Sequence, residues 1–117
     1  MDEILAELNE EVGVKGSAVV TEDGILVTSA LSSAMQADVI SALSSFLIST
    51  TKRALTECGM EHFGRFIITS THGKLVLVTL EKSYLVVVAD QFINLDVTLL
   101  TIQGAAKKLH RISQINV

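Results

Sequence analysis

The chain has 117 residues, of which 49% are hydrophobic and 19% charged, and its formal net charge is −4. A chain of this size and hydrophobicity is expected to fold as one domain, 1–117, rather than to stay disordered. Nine basic against thirteen acidic residues argue against nucleic acid as a partner, because nucleic-acid-binding domains concentrate Lys and Arg on one face.

Cysteine usage and the opening residues favour the cytoplasm. Cys58 is the single cysteine, so an intramolecular disulfide is excluded, which fits a reducing compartment. The opening stretch MDEILAELNEE is acidic where an export signal would be basic. Apolar runs stay well short of the roughly 18 residues that a membrane span needs. We therefore expect a cytoplasmic protein without membrane insertion.

In chain order, the first predicted element is a helix over 2–12, because its apolar residues recur at helical spacing, with Gly13 as its C-terminal cap. A hairpin with strands over 16–21 and 25–30 follows, since it turns at Asp-Gly, a pair favoured in tight turns. Next comes a long helix from Ser33, which begins a capping-box pattern, to about residue 57.

The second half predicts three strands and a closing helix. The segments 63–71, 74–81 and 84–90 are rich in Val, Ile, Leu and Thr and form a meander, whose stretches LVLVTL and YLVVVA are apolar on both faces. In the last helix, 95–112, Gly104 costs about 1 kcal/mol relative to Ala and suggests close packing against another backbone. The predicted order is α-β-β-α-β-β-β-α, an α/β fold whose five-stranded, mainly antiparallel sheet lies between the long central helix and two terminal helices.

The central helix carries more apolar surface than one sheet can cover. Its apolar arc spans roughly 220°, about twice the stripe of an ordinary surface helix. Small residues along it would let a second helix approach. A helix lying deep in a groove and covered by loops is the alternative, but we predict a homodimer. The predicted interface residues on this helix are Ile40, Leu43, Ser44, Leu47, Ile48, Thr51 and Leu55.

The strand over 63–71 is the second part of this predicted interface. If the hairpin joins beside the strand over 84–90, this strand is an edge, and pairing with its copy across a two-fold axis would hide both edges. The interface then includes Phe66, Ile67 and Ile68. Positive charge at Lys52 and Arg53, near the end of the apolar helix, could lie at the rim of a partner site, although a solvated face explains it as simply.

Residues that could carry chemistry do not form a recognisable site. Cys58 and His62 are four apart, but the helix is expected to end between them and zinc needs three or four protein ligands. Gly13 and Gly16 lack the residues that complete a phosphate-binding loop. Adjacent acids in the hairpin turn are most simply solvated, and the basic residues around His110 suit a helix C-terminus. We therefore predict no catalytic residue, metal site or cofactor, and no enzyme.

Three segments carry a resemblance to a known family: EVGVKGSAVVTEDGILVTSA (11–30), GKLVLVTL (73–80) and LVVVA (85–89). With the order of elements, they resemble the roadblock/LC7 family in its stand-alone prokaryotic form. The resemblance implies a dimer with paired central helices and a sheet continuous across the subunits. It also implies an adaptor that binds a small Ras-like GTPase and modulates its nucleotide cycle without inserting an arginine finger. Alternatives are a light-chain-like scaffold subunit of dynein motors, or a small-molecule-sensing domain of the profilin, PAS or GAF kind.

Overall fold

The structure is a computed structural model that describes residues 1–32, 35–60 and 62–115. Within these residues, three helices and five strands follow in the predicted order. They are α1 (Asp2–Leu8), β1 (Val14–Thr21), β2 (Leu26–Ala30), α2 (Ala37–Glu57), β3 (Arg65–Thr69), β4 (Lys74–Thr79), β5 (Ser83–Ala89) and α3 (Leu95–Ile115).

The five strands form one antiparallel sheet in the order β2-β1-β5-β4-β3. The opening hairpin joins the meander through β1 and β5, whose register runs from Val14 opposite Ala89 to Thr21 opposite Ser83. β5 therefore lies in the middle, and β2 and β3 lie at the two edges of the sheet. The hairpin thus lies beside β5, and under this condition β3 was predicted to be an edge strand.

Helices cover both faces of the sheet. On one face α1 and α3 bury Leu5, Ile102 and Leu109 against alternate residues of the strands, among them Val76 and Val87. On the other face α2 buries Ile48 in a second cluster. That cluster also contains Val20, Leu77, Tyr84 and Val86. Because successive strand residues point to opposite faces, β4 and β5 need apolar residues at every position. The predicted fold class is confirmed.

Three helix boundaries differ from prediction, the smallest difference being at α3, which ends at Ile115 rather than residue 112. α1 ends at Leu8, because the Asn9 side chain turns to the sheet: its Nδ2 donates to the Ala30 carbonyl oxygen at 2.7 Å and its Oδ1 accepts from Ser17 Oγ at 2.8 Å. Gly13 consequently caps no helix, and its φ of +91° instead turns the chain into β1. α2 begins at Ala37 after an N-cap without a side-chain hydrogen bond, and the predicted capping residue Ser33 lies outside the described residues.

The two edge strands differ in regularity. The β1–β2 pairing shifts register between Val19 and Val20, so β2 carries a bulge at the sheet edge. The β3–β4 pairing is regular from Arg65 opposite Val78 to Thr69 opposite Lys74. Bulges are one way in which proteins prevent an edge strand from pairing with another chain. The regular edge of β3 is therefore the better suited to strand pairing.

Candidate protein–protein interface

α2 turns its short side chains toward its own sheet. Ser44 and Ile48 are both 0% exposed, and Ser41 is buried in line with them. Beside this row, Ser45 Oγ donates a hydrogen bond to the Glu22 carbonyl oxygen at 2.7 Å in the β1–β2 turn. The small residues thus allow α2 to lie close to the hairpin of the same chain.

This orientation corrects two predicted interface residues. Ser44 and Ile48 were expected to face a second subunit, but both are enclosed between α2 and the sheet. The reason is steric, because serines bring the helix near its own strands and the large Ile48 then fills the space over them. Ser44 Oγ has no hydrogen-bond partner among the described residues, which places that hydroxyl in an apolar environment.

The opposite side of α2 is apolar and exposed. Phe46 is 65% exposed and Leu43 45%, and Val39 is exposed beside them. Residues three and four apart share one side of a helix, so the three side chains form one surface. All three belong to the wide apolar arc of this helix, but only Leu43 was predicted as an interface residue. Phe46 lies almost opposite Ser44 on a helical projection, and that opposition was the signal available for finding it.

A groove of about 570 Å³ runs between α2 and the strands near the β3 edge. Four predicted interface residues line it together. These are Ile40, Leu43, Leu47 and Ile68. Its rim is polar, with Lys15, Ser70 and His72 among the lining residues. The groove is therefore an apolar channel beside a strand edge that is open in the isolated chain.

The remaining predicted interface residues have mixed positions. Phe66 is half-buried under α2, where its ring lies edge-on to Phe63 with centroids 6.4 Å apart. Ile67 points to the opposite face of the sheet and is exposed. Thr51 and Leu55 are half-buried along the second half of α2. Strand and helix thus offer apolar side chains on both sides of the β3 edge.

The two basic residues of the predicted rim, Lys52 and Arg53, have different surroundings. Lys52 Nζ lies 2.8 Å from Glu22 Oε1, so its ammonium is held by the hairpin of its own chain. The Glu22 carboxylate raises the pKa of Lys52 above its ordinary value of 10.5, chiefly through this hydrogen bond. Arg53 is exposed on the outer side of α2, one residue on. Of the two residues, Arg53 therefore stays the candidate for the rim of a partner site.

Side chains that could do chemistry are dispersed. Cys58 and His62 are exposed at the end of α2 and in the loop after it. His72 contacts Thr71 through Nδ1 at 2.9 Å, and His110 Nε2 lies 2.8 Å from Glu81 Oε2. Within the described ranges, His, Cys, Asp and Glu nowhere gather in a group of three that could hold a metal ion. Nor does any helix there have the length and apolar character needed to cross a membrane.

A family model for the Roadblock/LC7 domain matches residues 1–89, from α1 to the end of β5. The chain belongs to the Roadblock/LC7 family. This Roadblock/LC7 protein is 34% identical over 109 residues to an uncharacterized protein of Methanocaldococcus jannaschii, covering 93% of this chain and 96% of that one.

Two solved structures have the same fold as this Roadblock/LC7 protein. A Roadblock/LC7 domain from Streptomyces avermitilis superposes with a TM-score of 0.89 at 17% identity, covering 97% of this chain and 98% of that one. Myxococcus xanthus MglB superposes with a TM-score of 0.90 at 20% identity, covering 99% and 91%. Both likenesses extend beyond residue 89, so they include α3 in the shared fold.

Proposed function

We propose that this Roadblock/LC7 protein is a homodimeric, non-enzymatic adaptor that binds a small Ras-like GTPase and regulates its nucleotide cycle. The observation that supports self-association most directly is the apolar groove beside the regular edge of β3. The GTPase is the partner that the family resemblance implies. A cytoplasmic location suits this function and stays a prediction.

In the proposed dimer, β3 pairs antiparallel with β3 of the second copy. A two-fold axis through the middle of the strand would set Ile67 opposite Ile67 and Arg65 opposite Thr69. Both α2 helices then lie on one face of a ten-stranded sheet, each next to the groove of the other chain. Leu43 and Leu47 would be covered, and each fully buried Leu contributes about 1.5–3 kcal/mol before the costs of association.

This dimer leaves the outermost line of α2 exposed. Val39, Phe46 and Arg53 recur every seven residues, so they follow one line along the helix, directed away from the sheet. Two such lines on adjacent helices would give a flat apolar surface with a basic residue near one end of each. Aromatic residues and Arg are both enriched at the centre of protein–protein interfaces. We assign this surface to the GTPase.

The test measures binding of the organism's purified small GTPases, each loaded with GDP or with a non-hydrolysable GTP analogue. We expect one GTPase to bind with a preference for one nucleotide state. Phe46→Ala should weaken that binding about 5- to 30-fold, because roughly two thirds of the ring remains to be buried and full burial contributes about 1.5–3 kcal/mol.

Phe92→Ala is the matched control, since Phe92 is also exposed but lies in the loop between β5 and α3, beside Val97. Its affinity for the GTPase should equal that of the unaltered protein. If the protein is a dimer and no small GTPase binds in either state, the GTPase assignment is wrong and a scaffold function becomes the better hypothesis. An unchanged affinity for Phe46→Ala would place the GTPase elsewhere on the protein.

A further inference from the structure

α3 has an exposed stripe on the face of the sheet opposite to α2. Leu100 is 73% exposed and Val97 is exposed one turn before it. Lys107, Lys108 and Arg111 are exposed in the second half of the same helix. The first half of this stripe is therefore apolar and the second half is basic.

Gly104 lies in the middle of this stripe. Glycine is the poorest helix former after proline, so its place in the interior of a 21-residue helix calls for a packing reason. A Cβ built on Gly104 would meet no atom within 4 Å among the described residues. The sequence predicted that another backbone approaches this position. The described part of this chain does not supply it, although α1 forms a shallow groove beside the glycine.

We propose that α3 packs antiparallel against α3 of a second copy, with a two-fold axis at Gly104. In such a pair, positions equally far from Gly104 face each other, so Val97 faces Arg111 and Leu100 faces Lys108. The aliphatic stems of Arg and Lys can cover apolar side chains while their charged ends stay in water. At the crossing point, two glycines let the helices approach more closely than any other residue allows.

Charge favours a second copy over an unrelated partner. Glu11 Oε1 accepts a hydrogen bond from Thr101 Oγ1 at 2.7 Å, which fixes the turn between α1 and β1 beside the first half of α3. Glu10 and Asp96 are exposed in the same region. Acidic residues thus surround the apolar half of the stripe, while the other half is basic apart from Glu7 of α1 beside Lys108. Antiparallel pairing therefore brings opposite charges together at both ends. A parallel pair would bring like charges together.

This contact is separate from the proposed α2–β3 dimer, because α2 and α3 cover opposite faces of the sheet. Both contacts can form at once. Two dimers joined through α3 would make a tetramer, and disrupting either contact alone should leave a dimer of a different kind.

The experiment measures the mass of the complete chain by light scattering at high micromolar concentration, for four proteins. The unaltered protein should have the mass of four chains. Gly104→Leu adds a side chain at the crossing, and Leu43→Glu places a charge in the α2 groove. Each should give two chains, and the double variant one chain. Gln103→Leu places the same side chain on α3 away from the stripe and should keep four chains.

Gly104→Leu is not expected to unfold the chain, since the Cβ position is open and Leu is a better helix former than Gly. A melting temperature at or above that of the unaltered protein confirms this. As a second variant, Arg111→Glu should give two chains, and Asp96→Arg added to it should restore four. The proposal is overturned if the unaltered protein and Gly104→Leu have the same mass, or if Leu43→Glu alone is a monomer. A monomeric Gly104→Leu would instead refute the α2–β3 dimer.

Discussion

Truncating Leu43 and Ile48 to Ala should separate association from folding, although the residues lie only five positions apart on α2. Leu43 is 45% exposed, and the proposed dimer would cover this remaining part. Full burial of a Leu side chain contributes about 1.5–3 kcal/mol, so the uncovered part contributes about 0.7–1.4 kcal/mol per subunit. The two-fold axis doubles this contribution to about 1.4–2.8 kcal/mol per dimer, so Leu43→Ala should raise the dimer dissociation constant about 10- to 100-fold.

Ile48 is 0% exposed and packs with Val20, Leu77 and Val86. Removing a large side chain from such a site costs about 2–5 kcal/mol, because the lost transfer free energy is joined by the cost of the cavity. Ile48→Ala should therefore lower the stability of the chain itself. Its contribution to contacts between subunits should be small.

Sedimentation equilibrium gives the dissociation constant, and denaturant unfolding over a range of protein concentrations separates subunit stability from association. The orientation assigned to α2 would be wrong if Leu43→Ala left the dissociation constant unchanged. It would also be wrong if Ile48→Ala weakened the dimer while the subunit kept its stability. Ser49→Ala, at an exposed position of the same helix, is the control for both measurements.

Two further predictions concern polar groups on α2. Ser44→Ala removes a buried hydroxyl without a hydrogen-bond partner among the described residues, so it should stabilise the chain by about 1 kcal/mol. This stabilisation should raise Tm by roughly 4 °C. A fall in Tm would show that the hydroxyl is hydrogen-bonded. Glu22→Gln should cost at most about 0.2–1 kcal/mol, since the ion pair with Lys52 is partly exposed. Because folding raises the pKa of Lys52, the stabilisation by this ion pair is complete below pH 10.5 and is lost as the pH rises through the pKa of the folded state. In urea unfolding, the difference in stability between the unaltered protein and Glu22→Gln should therefore be present at neutral pH and close above pH 10.5. A difference that stays constant would contradict the ion pair between Lys52 and Glu22.

The elements and their order could be predicted because each depends on local signals. Neighbouring residues are enough to indicate the turn at Gly24, whose φ is +89°, and the apolar strands β4 and β5. Element ends were predicted less well because they depend on distant partners. Asn9 ends α1 by bonding Ala30, 21 positions away, and no local pattern indicates that bond.

The side of α2 that meets the sheet was the harder problem, for a similar reason. An apolar arc of this width leaves several orientations open, and small residues suit close approach to a second helix or to the chain's own strands. Ser45 decides between them by bonding the Glu22 carbonyl in the hairpin turn, a contact that exists only in the folded chain. Size and hydrophobicity nevertheless sufficed to select four residues that line one groove, Ile40, Leu43, Leu47 and Ile68.

The exposed apolar residues on the two faces differ in their surroundings, and this difference implies different kinds of contact. The groove under α2 is lined mainly by aliphatic residues, so a subunit bound there would be held by burial, as in interfaces that resemble a protein core. On α3, Leu100 lies between acidic and basic ends, where screening by salt weakens attraction between exposed charges. A contact through α3 should therefore dissociate at an ionic strength at which the α2–β3 dimer persists. An adaptor with these two surfaces would keep its dimer permanently and adjust its larger assembly to conditions.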